Sequence, residues 1–236
     1  AKDLKIGDNV IIIRSGDVIP KITVNLTDRR DGTEIDIPTP IECPTCYTKL
    51  KEVGPNLFCI NDDCHDKLFG KLIHFVSSDG ANIDGMSEAT IKAIDIDGYV
   101  EFDFFQYIKN LYKMTIDDFI VLDGFNIKKA TNLYNAIQAS RTIEMYKLLD
   151  SLSIPNIGTT ASKAIVKKYG LNVLHLTTDD LKSIDGIGEV QAKSYVNFIN
   201  LYRDIIQDLM IFTFNVINTL VEEVDLPLVA ITGKFP

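Results

Sequence analysis

All four cysteines of this chain fall between residues 43 and 64. They form two pairs, Cys43-Pro44-Thr45-Cys46 and Cys59-Ile60-Asn61-Asp62-Asp63-Cys64, a C-x2-C and a C-x4-C joined by 12 residues. Each short loop can turn two sulfurs to one side, and two such loops supply a closed tetrahedral set for Zn²⁺. No further ligand pattern leaves a position open for water, so the expected metal is structural. His65, directly after Cys64, reads as a neighbour of the site and not a ligand. Two disulfides are the competing reading. They suit a dispersed, secreted framework, whereas here the cysteines are clustered and Ala1-Lys2-Asp3-Leu4 does not resemble a signal peptide.

Around this anchor the chain changes character. Residues 1–41 carry β-branched runs, Val10 to Ile13 and Val18 to Val24, separated by Arg14-Ser15-Gly16-Asp17, with a turn at Asp31-Gly32 before Ile35 and Ile37. About three strands are expected, fewer than the five of a closed oligonucleotide-binding (OB) barrel, so an open edge needs a cover. Residues 42–70 hold the cysteine module. Residues 71–220 switch to helical spacing. Residues 221–236 run from Glu222-Glu223 to the strand-like Leu228-Val229-Ala230-Ile231-Thr232-Gly233, read as a linker and the first strand of another domain. The expected fold class is multidomain α+β. No segment keeps the roughly 18 unbroken apolar residues of a membrane span, and a cytoplasmic, membrane-free setting is expected.

The helical region repeats. Its clearest copy is Ile184-Asp185-Gly186-Ile187-Gly188, followed by the small residue Ala192. Related copies are Ile154-Pro155-Asn156-Ile157-Gly158 with Ser162, Leu122-Asp123-Gly124-Phe125-Asn126 with Ala130, and Ile83-Asp84-Gly85-Met86-Ser87 with Ile91. The steps Gly85 to Gly124, Gly124 to Asn156 and Asn156 to Gly186 are 39, 32 and 30 residues. That period fits one helix pair per repeat, each stacked on its neighbours.

Such a turn allows positive φ and leaves amides unpaired where the second helix begins. A phosphate oxygen satisfies those amides at the positive end of the helix dipole without reading any base. Asn126 replaces the second glycine and tolerates a left-handed φ. Asn156 replaces the first, with Gly158 kept. Lys128, Lys129, Lys163 and Lys193 follow their turns and supply local cations. A net charge of −9 and a pI near 4.8 exclude a broadly basic surface, so nucleic-acid contact must be local. The bland alternative for each copy is a simple corner between helices, as in a protein-interaction scaffold.

Several stretches resemble the C-terminal half of the NAD-dependent DNA ligases of bacteria. Ile6-Gly7-Asp8-Asn9-Val10 with Arg14-Ser15-Gly16-Asp17-Val18-Ile19-Pro20 is similar to the family's OB-fold stretch. Pro40 to Cys46, Cys59 to Cys64, Leu72-Ile73-His74-Phe75-Val76-Ser77 and Ile83-Asp84-Gly85-Met86 resemble its zinc-to-hairpin junction, and Val229 to Gly233 resembles the opening of its BRCT domain. The resemblance implies a partial OB-fold at 1–41, a four-cysteine zinc finger at 42–70, four tandem helix-hairpin-helix motifs at 71–220, and the linker and first BRCT-like strand at 221–236. It implies a grip on nicked duplex DNA, with Arg14, Gly16, Lys21, Gly85, Gly124, Asn126, Lys128, Lys129, Gly158, Lys163, Gly186, Gly188 and Lys193 as DNA-facing residues. The family's K-x-D-G lysine motif has no counterpart here; Lys182-Ser183-Ile184-Asp185-Gly186 is one residue too long. NAD and Mg²⁺ would therefore belong to an adenylation domain or subunit, and this chain alone is expected to be inert. A rival expectation is a zinc and hairpin scaffold of a repair or recombination complex without ligase activity.

Overall fold

The computed structural model describes residues 3–15, 19–94 and 103–220. Gly16 and the strand expected near 228–233 lie outside the described residues. The chain is mixed α and β and divides into two compact units between Asn61 and Asp62.

The first unit is built of short antiparallel ribbons, β1 (Lys5–Ile6) with β4 (Ile35–Asp36), β2 (Val10–Ser15) with β3 (Ile19–Asn25), and β5 (Leu50–Val53) with β6 (Asn56–Cys59), with a 3-10 turn at Thr27–Arg29. The β-branched residues set the strands, and a bulge interrupts β2 between Ile11 and Ile12. A two-stranded ribbon cannot bury both of its faces. Among the described residues of this unit Cys43 alone is buried, while Ile11, Ile12, Ile13, Ile19 and Val24 are 45–71% exposed. What orders the unit is polar. The Arg30 guanidinium straddles the Asp8 carboxylate, Nε to Oδ1 at 2.6 Å and Nη2 to Oδ2 at 2.8 Å, and also reaches Asp3. That bidentate pair holds the Asp8 carboxyl well below the usual range.

The second unit contains α1 (His65–Val76), α2 (Glu88–Ile94), α3 (Phe104–Leu111), α4 (Ile116–Ile120), α5 (Ile127–Ala139), β7 (Thr142–Glu144), α6 (Met145–Ser151), α7 (Thr159–Tyr169), α8 (Thr178–Lys182) and α9 (Glu189–Asp208). A π-helical turn (Leu209–Thr213) then leads to β8 (Asn215–Ile217). One apolar cluster runs from Leu68 to Phe214, with Phe75, Phe119, Leu149 and Tyr195 fully buried. Capping boxes start α4 and α8: the Thr115 and Thr177 amides donate to Asp118 Oδ2 and Asp180 Oδ2 at 2.7 and 2.8 Å. A parallel β7–β8 pair closes the unit. Arg141 clasps it, donating to the carbonyls of Thr213 at 3.0 Å and Tyr112 at 2.5 Å.

Candidate metal centre and nucleic-acid interface

The loop from Cys43 to Thr48 folds back on itself, with the Cys43 amide donating to Thr48 O at 2.9 Å and the Tyr47 amide to Cys43 O at 2.9 Å. β5 and β6 then return Cys59, and Cys64 is the N-cap of α1. All four sulfurs lie within 4.8 Å of one another. A tetrahedron with metal–sulfur bonds of about 2.3 Å has edges of about 3.8 Å, and the Cys46–Cys59 pair stands at 3.5 Å. Hydrogen bonding with Thr48, side chain first, pulls the Cys46 thiol down to about 6, toward the thiolate that a metal takes. The cluster can hold one metal ion. His65 points elsewhere, stacking on Phe69 with ring centroids 6.2 Å apart.

The four sequence repeats become four copies of one hydrogen-bonded turn. The amides of Met86, Phe125, Ile157 and Ile187 donate to the carbonyls of Ile83, Leu122, Ile154 and Ile184 at 3.1–3.2 Å. Those of Ile91, Ala130, Ser162 and Ala192 donate to Ser87, Asn126, Gly158 and Gly188 at 2.9–3.0 Å. The first turn position is left-handed in every copy: Gly85 at φ +80°, Gly124 at +71°, Asn156 at +63° and Gly186 at +84°.

The second position behaves otherwise, and Asn126 does not use the left-handed φ it tolerates. Its φ is −128° and ψ 172°, extended backbone, because it serves as the helix N-cap. Its Oδ1 accepts from the Lys129 amide at 2.9 Å, as Ser87 Oγ does from the Thr90 amide at 3.1 Å. Gly158 and Gly188 are extended too, with φ −113° and −86°. Lacking a side chain, they leave the first amides of α7 and α9 without a cap. The four turns thus fall into two kinds, capped from within and open.

The third and fourth turns adjoin. Asn156 Nδ2 donates to Ser194 Oγ at 3.0 Å, and Gln191 Nε2 donates to Asn156 O at 3.2 Å while its Oε1 accepts from the Gly188 amide at 3.1 Å. Sequence reading missed Gln191, whose place three residues after the N-cap was the available signal. The cations are spread unevenly. Lys128 is exposed and has no ion pair among the described residues. Lys129 folds back over Phe125, 3.9 Å from the ring centroid, and Lys163 lies over Tyr146 at 5.0 Å. Lys193 pairs with Glu189 at 2.8 Å.

In the first unit Arg14 lies opposite Pro20, and Lys21 lies opposite Ile13. Directly opposed residues share a face and successive residues alternate, so Arg14 and Lys21 project from opposite faces of the ribbon. Both are exposed.

No family model matches the chain. Nearly its whole length is nevertheless similar to curated proteins named DNA ligase: 39% identical over 222 residues, 94% of this chain, to that of Sulfurovum sp. (strain NBC37-1). The identity is 36% over 220 residues, 93% of the chain, for Aliarcobacter butzleri (strain RM4018). For Helicobacter hepaticus (strain ATCC 51449 / 3B1) it is 38% over 209 residues, 89% of the chain. The match covers only 31–33% of each relative, so the chain spans about a third of their length. No helix among the described residues is long and apolar enough to cross a membrane.

Proposed function

We propose, on the premise that the chain corresponds to one C-terminal-like third of a bacterial DNA ligase, that it is the DNA-gripping, non-adenylating part of an NAD-dependent enzyme. It holds nicked duplex DNA while a separate adenylation domain or subunit, binding NAD and Mg²⁺, carries the covalent chemistry. The observation that carries the reading is the fourfold turn geometry with two uncapped helix starts. Backbone amides contact phosphates without reading bases, which suits an enzyme that must seal any sequence.

In this reading the four turns are helix-hairpin-helix motifs. The open ones, Gly158 with Lys163 and Gly186-Ile187-Gly188 with Lys193, are the principal phosphate sites. The capped turns at Gly85 and at Gly124-Phe125-Asn126 contribute less, through Lys128 and Lys129. The cysteines of residues 42–70 hold a structural Zn²⁺, which supplies cross-linking and no catalysis. The ribbons of residues 1–41 form part of an OB barrel, and their exposed isoleucines are covered by strands of the adenylation part. Arg14 faces the duplex from one side of the ribbon. Lys21 lies on the other side and makes the weaker contact.

The test is fluorescence anisotropy of the chain with a nicked duplex over a salt series. Gly158→Asn and Gly188→Asn each add the side-chain cap that Asn126 already provides, and at both positions a Cβ would meet no atom within 4 Å. Folded variants with weaker binding, equally for all sequences, are expected; unchanged affinity overturns the reading. A repair scaffold would bind intact duplex as well as nicked, and adding the adenylation part would not yield NAD-dependent sealing.

A further inference from the structure

The fourth turn carries a carboxylate where its phosphate should sit. Glu189 is the first residue of α9, directly after Gly188, which has no side chain to cap the first amides of the helix. Its Oε2 meets Lys182 Nζ at 2.8 Å and its Oε1 meets Lys193 Nζ at 2.8 Å, bridging the last residue of α8 to the first turns of α9. All three side chains are partly exposed. Both of these cations are therefore drawn onto an acid that occupies the same positive end of the helix a phosphate would seek.

The other turns supply the contrast. In the third, Thr159 takes the position of Glu189 and donates to the Asp150 carboxylate at 2.6 Å, while the equivalent cation, Lys163, lies over Tyr146. In the first, Glu88 and Lys92 repeat the pair at 2.7 Å, but there Ser87 already caps an amide and α2 has only seven residues.

We infer that Glu189 is an affinity-setting residue, a built-in competitor that keeps the fourth turn's grip on a DNA phosphate weak. This rests on reading the fourth turn as a phosphate site. An incoming phosphate meets a net local charge of +1 from Lys182, Lys193 and Glu189, and +2 once the carboxylate is gone. The consequence for an enzyme that must leave its product is a duplex held releasably at this turn.

The experiment compares Glu189→Gln, Glu88→Gln and Gly188→Asn in the full chain by anisotropy with a nicked duplex at several salt concentrations, with far-UV circular dichroism confirming the fold. Glu189→Gln should bind about three- to tenfold more tightly at low salt, and its log K against log salt slope should steepen by about one, because a lysine is released to pair with phosphate. Glu88→Gln should change little. If Glu189→Gln binds unchanged or more weakly while Gly188→Asn loses affinity, the competitor role is wrong and the phosphate reading survives. Equal tightening by Glu189→Gln and Glu88→Gln also overturns it, as a general charge effect. If neither Gly188→Asn nor Glu189→Gln alters binding, the phosphate reading falls.

Discussion

Replacing the two glycines of the fourth turn by alanine, one at a time, should give unequal results although the sequence presents them as equivalent. Gly186 has φ +84°, and a Cβ there would meet no atom within 4 Å, so the cost of Gly186→Ala is conformational, not steric crowding by neighbours. A left-handed L-residue costs roughly 1–2 kcal/mol, and the smaller unfolded-state entropy of alanine returns roughly 0.4–1 kcal/mol. The net loss should be about 1 kcal/mol. Gly188 has φ −86°, a conformation open to any residue, and again no atom within 4 Å. Gly188→Ala therefore gains the same entropy term and loses only the modest N-cap preference of glycine over alanine, for a net change within about 0.5 kcal/mol. Urea unfolding followed by circular dichroism separates the two: with m on the order of 2 kcal/mol/M, Gly186→Ala moves the midpoint down by about 0.5 M and Gly188→Ala barely moves it. Equal destabilisation by the two alanines would refute the assignment of strain to the first position and open space to the second.

Three further outcomes are expected. Gly80→Ala should destabilise by about 1–3 kcal/mol in the same urea assay, more than Gly186→Ala, because its Cβ would fall 2.4 Å from the Phe75 carbonyl oxygen, a backbone atom that cannot swing away. Elemental analysis should find one zinc per chain, and Cys59→Ser should lower that content and weaken zinc retention against a chelator. Glu189 is held down to about 2 by Lys182 and then Lys193. Its folded-state pKa lies below the ordinary 4.5, so its stabilisation is present above that value and is lost as pH falls toward 2. Thermal melts of Glu189→Gln should show a shallower decline over that range than the unaltered chain.

The cysteine pairs and the four turns were legible because each is closed by partners a few residues away. The bonds from Ile187 to Ile184 and from Ala192 to Gly188 span three and four positions, so their residues repeat at fixed offsets in the sequence. The role of Asn126 stayed open in the sequence for a related reason. Asparagine suits both a left-handed turn and an N-cap, and only the backbone shows that Asn156 takes the first role and Asn126 the second. A signal for α4 and α8 was present and unused: from Thr115 to Gly124 and from Thr177 to Gly186 is the same nine-residue step, and each begins a Thr-x-Asp-Asp cap.

By itself, then, the sequence determined a four-thiol cluster and a helical repeat with left-handed first positions, since short loops and turns depend on local sterics and hydrogen bonds. Tertiary structure alone decided that Arg14 and Lys21 part to opposite faces, that Gln191 ties the fourth turn to Asn156, and that Arg141 reaches Thr213 across 72 residues. It also decided that the isoleucines of the first unit stay uncovered. Such contacts follow from strand register and from which surfaces pack together, and neither is encoded in the spacing of nearby residues.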